Sequence, residues 1–576
     1  VSAPRKGLEG SPRLEWLAAG LIFAALTVVV FWPQPVQWLT HAHGHHDTLF
    51  NMWRLSWITE ALTTDPARLF DPPIFHPAQR VLAYSDAVLL QGLVALPALA
   101  AGAPILPVSN IVLLLGPWLS ALGMYLLVRD LLAGRDASPR RPDGLGGGPR
   151  GERSLPACSP FWPAVIAGVI FGLLPYRVEH VMHLELQWSQ WMPLACWALH
   201  RTVEGGRVRD GVWLGVFVLA QFLSCIYYGV FLVLTLACVT PLLLLARGRA
   251  PLTRIAAALV VGMVVTAPVL VAYSAPYRAN QATFGGRGAD EIDTWSATAG
   301  SFISAPEGNR IYGRTATFGG PEGRLWPGAI ALLLGVVGVW SARRQLVLWM
   351  YAAMLVVSAV LAMGTHTPIY RVMLALVPPL GGLRAPSRFG MVVALAIAVL
   401  AGLGAAHLLA RLRGGWLRHV AGALLVIGLG VEYASRIGPL HPWVPRAPMY
   451  ARWLRDQPAG VVVDLPIARA NALPHHEAEW SFYGRTHGHP MANGYSGYYP
   501  RPYLDLLGAM VAFPRGESLT ALRSRDVRYI VVHEDRYEPA DYLELDARLR
   551  GTPGLRFLGR FPDPDYPVGI YLIEPR

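Results

Sequence analysis

Apolar residues in this chain fall into unbroken runs rather than alternating with polar ones. Eleven runs, at roughly 14–32, 109–129, 159–175, 188–201, 212–227, 229–246, 254–273, 326–341, 345–363, 389–410 and 416–434, read as membrane-spanning helices. A helix needs about 20 mostly apolar residues to cross a hydrocarbon core of about 30 Å. A membrane β-barrel would show alternating segments of about ten residues instead, and the runs do not alternate. A twelfth run, 87–106, is broken by Pro97 and Pro104 and followed by Pro107, and whether it crosses sets the orientation of everything after it.

From about residue 435 the pattern changes. Residues 460–464, 527–533, 555–559 and 568–573 are rich in β-branched and aromatic side chains and predict strands. Amphipathic stretches at 449–457, 502–511, 517–524 and 539–550 predict helices between and beside them. The expected fold is therefore an α-helical polytopic membrane protein of about eleven transmembrane helices, residues 1–434. A small soluble α/β domain, residues 435–576, follows it.

Loop charge sets the topology. The linker 129–153 carries six arginines and many glycines, and arginines recur at 201–209, 247–254, 343–344 and 411–418. Basic loops stay on the cytoplasmic side. With a cytoplasmic N-terminus, all five fall inside only if 87–106 does not cross and is re-entrant or interfacial. The extracytoplasmic segments are then 33–108, 175–187, 274–325, 364–388 and the C-terminal domain. The linker 135–153 reads as disordered. Arg5, Lys6 and Arg13 precede the first run, which ends in Phe31-Trp32-Pro33. That ending suits an interfacial anchor rather than a cleavage site.

Composition agrees. The 576 residues are 53% hydrophobic and 15% charged, against about 25% charged in soluble chains. The net charge of +12 comes from these short basic loops, which argues against a nucleic-acid partner. Cys158, Cys196, Cys225 and Cys238 lie in or beside apolar runs without a CxxC pair, so they read as core residues rather than a disulfide or thiolate metal framework.

Candidate chemistry gathers in the extracytoplasmic segments. Asp47 follows a tract containing His41, His43, His45 and His46 and precedes an amphipathic stretch with Leu49, Met52, Trp53 and Trp57. As a bland feature it caps an interfacial helix; as a functional one it is a general base at the membrane surface. His43, His45 and His46 are weak candidates for a divalent metal in an irregular segment. Arg177, Glu179, His180, His183 and Glu185 place charge beside apolar helices, where it is costly unless paired or functional. Arg177 is thus either ion-paired with Glu179 or Glu185, or a phosphate ligand with the histidines. Arg384 and Arg388 flank Pro386 at the mouth of the run 389–410, with Arg371 nearby, and arginine binds phosphate through paired bonds. In the C-terminal domain His487, His489, Asn493 and Tyr495 suit either a sugar-binding platform or a packed loop.

A helix followed by a long external loop that opens with an aspartate resembles the GT-C superfamily of membrane glycosyltransferases. Leu69-Phe70-Asp71, Phe75-His76-Pro77, Tyr84-Ser85-Asp86, Pro175-Tyr176-Arg177, Trp191-Met192-Pro193, Leu383-Arg384-Ala385-Pro386-Ser387-Arg388 and Asn493-Gly494-Tyr495 are similar to stretches in bacterial members. The resemblance implies an inverting enzyme of the bacterial cytoplasmic membrane. Its donor is a sugar on polyprenyl phosphate, and its acceptor an envelope glycan, lipid or protein. It implies that Asp47 is the catalytic carboxylate, while arginines hold the phosphate. His46 stands where a small residue often precedes that aspartate. The segment 175–187 has Glu179 and histidines where oligosaccharyltransferases have metal-binding aspartates, so no cofactor is expected to be required. The alternatives are a flippase for lipid-linked glycan, or a catalytically silent scaffold that binds glycan.

Overall fold

The computed structural model describes residues 12–136, 159–245, 250–443, 446–468 and 475–575. The linker from 137, Cys158, Arg5 and Lys6 lie outside them. The fold is mostly helical, and each of the eleven runs lies on a helix. Among the described residues seven helices are long and apolar enough to cross a membrane: Pro12–Val30, Ile105–Gly134, Phe161–Glu179, Ile226–Leu245, Leu252–Phe284, Pro386–Ala410 and Gly415–Tyr433. The other four runs carry shorter helices, Trp191–Gly205, Val208–Ser224, Ala329–Ala342 and Leu346–Ala362. Within the run 87–106, Leu89–Ala100 forms a separate short helix, which rises about 18 Å at 1.5 Å per residue, and the last two residues open the helix Ile105–Asp136.

Packing divides the chain into two compact units. The first comprises 1–37, 111–273 and 286–438; the second comprises 38–110, 274–285 and 439–576. The long loop 38–110 thus packs with the C-terminal segment.

In the first unit, glycines let helices touch. A methyl group on Gly404 would overlap the carbonyl oxygen of Leu334, and one on Gly338 would overlap that of Leu400. The helices Ala329–Ala342 and Gly390–Ala410 therefore meet backbone to backbone, as small residues permit in membranes. Gly404→Val should lower the unfolding temperature in detergent, because overpacking a fitted contact costs about 1–3 kcal/mol or more. Cys196 and Cys225 are buried here, but Cys238 is exposed on Ile226–Leu245, where Val233, Ala237 and Pro241 are exposed with it, and is not the core residue expected.

Among the described residues the second unit contains six strands: β1 (His41–His43), β2 (Leu440–Pro442), β3 (Val461–Leu465), β4 (Val527–His533), β5 (Leu555–Pro562) and β6 (Pro567–Ile573). β1 and β2 form an antiparallel pair with Ala42 opposite His441. The His tract is therefore not wholly irregular, because the C-terminal segment supplies it with a strand partner. The other four strands make one sheet of order β3-β4-β6-β5, with β3 and β4 parallel and the remaining pairs antiparallel.

Alternation along the strands builds a core on each face of this sheet. Val461, Val463, Ile530, Val532 and Tyr571 join Leu506, Met510, Leu522 and Leu549 on one side. Val462, Tyr529, Val531, Ile570 and Leu572 join Tyr450, Ala451 and Leu454 on the other. The helix His46–Thr64 is buried continuously from Phe50 to Thr59. It packs against Leu89–Ala100 and Glu477–His487, so it is an interior helix rather than the interfacial amphipathic one expected.

Candidate active site

The second unit sets Asp47 in the first turn of His46–Thr64. His45, not Asp47, caps this helix: its Nδ1 accepts the Asp47 amide at 3.1 Å. That leaves the carboxylate for other partners. Tyr495 donates its hydroxyl to Asp47 Oδ1 at 2.9 Å. Oδ2 lies 3.5 Å from His45 Nδ1, but a nitrogen that accepts from the backbone carries no proton to share, so this approach is not an ion pair. The positive end of the helix dipole favours the ionised carboxylate at this place.

The histidines of the tract go separate ways. His43 is buried on β1, and burial, then His45, pushes it down to about 4. His46 stacks on His475 with ring centroids 4.0 Å apart. Burial, then the neighbouring histidines, push His46 down to about 4 as well. Among the described residues no group of three or more His, Cys, Asp or Glu is placed to hold a metal ion.

Of the four acceptor candidates, Tyr495 alone reaches Asp47 among the hydrogen bonds described. His487, His489 and Asn493 are buried. His489 Nε2 bonds Leu454 O at 2.8 Å and its amide donates to His487 Nδ1 at 3.0 Å, while burial pushes His487 down to about 3. The Asn493 amide clamps the end of β3, accepting from Asp464 N at 2.7 Å and donating to Asp464 O at 3.1 Å. These three residues are interior, as the packed-loop alternative expects. Asn493→Ala should lower the thermal stability by about 1–3 kcal/mol per stranded main-chain group.

Glu477, which follows His475 and His476 in the same polar-aromatic stretch of sequence, belongs to this region. It is buried, accepting from Tyr503 Oη at 2.6 Å and Gly494 N at 2.8 Å. Burial raises its pKa from 4.5 to about 7, against the pull of those two bonds. The folded state therefore binds the proton more tightly than the unfolded chain. The stabilisation is complete below 4.5 and is lost as pH rises through about 7. Glu477→Gln should flatten that part of the unfolding-temperature profile between pH 5 and 8.

In the first unit, Arg177 is buried with its guanidinium engaged by Phe171 O at 3.2 Å, Gln187 O at 2.8 Å and Ser189 Oγ at 2.5 Å. It pins the turn after the helix Phe161–Gly172, and neither expected carboxylate is its partner in these bonds. Glu179 instead takes Arg324, at 2.5 Å. Arg388 is also buried and binds both oxygens of Glu322, at 2.6 and 3.1 Å, with Tyr227 beneath the guanidinium at 4.7 Å. Burial by itself would raise the Glu322 pKa, but Arg388 and then His180 hold it well below the usual carboxylate range. His180 lies 3.9 Å from Glu322 and 3.4 Å from His183. Burial pushes His180 down to about 3 although Glu322 opposes it.

Arg384 differs. Its side chain is 37% exposed, 4.0 Å from Glu291 and above Trp295 at 5.9 Å. Arg371 is exposed and donates to Thr365 O at 3.1 Å. Glu322 and Arg324 were missed by sequence reasoning. The closely spaced charges of Pro321-Glu322-Gly323-Arg324 beside apolar runs were the available signal.

No protein-family model matches the sequence, and no curated protein matches it. Among solved structures the chain is similar to arabinofuranosyltransferase AftD from Mycobacteria, with a TM-score of 0.55 and 16% identity. The match covers 98% of this chain and 42% of that one, so this chain spans less than half the length of AftD. A second AftD structure matches with a TM-score of 0.55, 17% identity, and 99% and 42% coverage. The archaeal oligosaccharyltransferase AglB from Archaeoglobus fulgidus matches with a TM-score of 0.48, 12% identity, and 94% and 71% coverage. At these identities the likeness is one of fold, shared with less than half of the AftD chain.

Proposed function

We propose that this chain is a membrane glycosyltransferase that moves a sugar from polyprenyl phosphate to a hydroxyl of an envelope glycan, lipid or protein. The membrane is the bacterial cytoplasmic one, with the N-terminus inside and the acceptor outside. The observation that carries the reading is the carboxylate of Asp47, in the first turn of a buried helix and oriented by Tyr495. In the reaction the acceptor oxygen bonds to the anomeric carbon from the face opposite the phosphate. The carbon–oxygen bond to phosphate breaks, its electron pair leaves with polyprenyl phosphate, and the acceptor proton passes to Asp47. The product is inverted. A positioned base of this kind contributes about 10²–10⁴-fold.

Charge also grows on the leaving phosphate, and preorganised cations stabilise it. Arg384, partly exposed with its nearest carboxylate at 4.0 Å, suits that task better than Arg177 or Arg388, and Arg371 assists it from the surface. His183, half-buried beside the neutral His180, offers a further donor. The proposed transfer needs no metal, and it should persist when EDTA replaces added divalent ions. A silent scaffold is the second reading. It draws support from the saturation of Arg388 by Glu322.

The donor side is tested by thermal unfolding in lipid with added undecaprenyl phosphate. A ligand at 100 times its Kd stabilises by about 2.7 kcal/mol. The wild type should unfold at a higher temperature with this lipid, and Arg384→Ala should need about tenfold more for the same rise, a loss of about 1.4 kcal/mol. Equal rises in both proteins would remove Arg384 from the phosphate site.

A further inference from the structure

We propose that Glu477 is a positioning residue for Asp47: it anchors the Asn493–Tyr495 segment so that the Tyr495 hydroxyl sets the rotation of the Asp47 carboxylate. This rests on the reading of Asp47 as the base.

The chain of contacts lies within the second unit. Asn493 is tied at both ends of its carboxamide to Asp464, and its carbonyl oxygen accepts from Phe75 N at 2.8 Å. The next residue, Gly494, donates its amide to Glu477 Oε2 at 2.8 Å. A Cβ on Gly494 would lie 2.7 Å from the Phe75 ring, so no larger side chain fits between that ring and the carboxylate. Tyr495 then leaves a segment fixed on two sides. Its ring meets Phe50 edge-on at 5.3 Å, and Phe50 is one helical turn from Asp47. A hydroxyl bonded to Oδ1 fixes both the direction and the basicity of the carboxylate. A segment free to shift by an ångström would lose that control, and misplacement on this scale costs on the order of 10²-fold in rate.

The arrangement works in either protonation state of Glu477. Burial places its pKa at about 7, and the titratable group facing it is Tyr503, alongside the Asn493 amide and the backbone of Gly494 and Ala468. A hydroxyl both donates and accepts. Tyr503 donates to the carboxylate or accepts from the acid, while the other oxygen keeps the Gly494 amide in both cases. Glutamine reproduces the acid form, with its NH₂ towards Tyr503 and its oxygen towards Gly494. Alanine removes the anchor.

Two readouts test this. The first is hydrogen exchange at the Gly494 amide in the full-length protein in lipid, which needs no substrate. Exchange should accelerate at least tenfold in Glu477→Ala and stay near the wild-type rate in Glu477→Gln, while exchange along β4 stays slow and reports an intact fold. If Glu477→Ala does not fold, Tyr503→Phe, which removes one of the two anchors of the carboxylate, should accelerate the same amide.

The second readout is sugar transfer from a panel of undecaprenyl-phosphate sugars. Glu477→Ala should lower kcat on the order of 10- to 100-fold with KM for the donor unchanged, and add nothing in a Tyr495→Phe background. Glu477→Gln should restore the rate. Unchanged Gly494 exchange in Glu477→Ala, or additive losses with Tyr495→Phe, would overturn the positioning role. Transfer that survives Asp47→Asn would overturn the reading of Asp47, and the proposal that rests on it, even where exchange still links Glu477 to Gly494.

Discussion

Asp47→Asn is expected to slow sugar transfer by about 10²–10⁴-fold, the range a positioned base contributes, while leaving the protein folded. Asparagine matches aspartate in shape and keeps an oxygen to accept from Tyr495, so the 2.9 Å contact survives. The helix start survives too, because the His45 ring caps it. What is lost is a proton acceptor and one negative charge in the first turn of a helix, an interaction of about 0.3–1 kcal/mol. The unfolding temperature should therefore move little, and the loss should appear in kcat. Label incorporated into acceptor, measured beside a melting curve, separates the two effects. A variant that loses both together would make Asp47 a structural residue.

The largest stability effect is expected from Glu322→Ala. Arg388 and Glu322 share two hydrogen bonds with side chains 5% and 12% exposed. Removing the carboxylate leaves a guanidinium in the protein interior with the Tyr227 ring beside it, and breaking a buried pair in this way costs about 3–5 kcal/mol. Replacing both residues by apolar ones of similar size, Glu322→Leu with Arg388→Met, should recover most of that loss, because no charge is then left buried. Arg384→Ala, at a half-exposed position, should lower the melting temperature much less. Thermal unfolding of the four proteins in one lipid mixture checks the order. A double variant as unstable as Glu322→Ala would mean that packing, not charge, holds this loop.

Much of the helical unit was legible because lipid imposes long apolar runs, and each of the eleven runs lies on a helix. The sheet was legible for a similar reason: Val461–Leu465 and Val527–His533 carry the β-branched density of strands buried on both faces. The rest depended on partners far along the chain. Tyr495 reaches Asp47 across 448 residues and Arg388 reaches Glu322 across 66, and no local period reports such pairings. The strand β1 exists because Leu440–Pro442 lies beside it. The helix His46–Thr64 carries Asn51, Arg54 and Ser56 in its buried stretch, so its polar residues imitate a wet face. Asn493 and the two histidines near it could be read as a sugar platform or as a packed loop for the same reason. They are polar groups that the interior satisfies with backbone partners.

The most direct test of the central claim is release of free polyprenyl phosphate by the purified protein in lipid. It would be supplied with a panel of polyprenyl-phosphate sugars and a crude envelope extract as acceptor. Release should require both donor and extract and fall at least about 100-fold in Asp47→Asn. Release that is equal in the wild type and Asp47→Asn, or absent with every donor although undecaprenyl phosphate still raises the unfolding temperature, would contradict that claim.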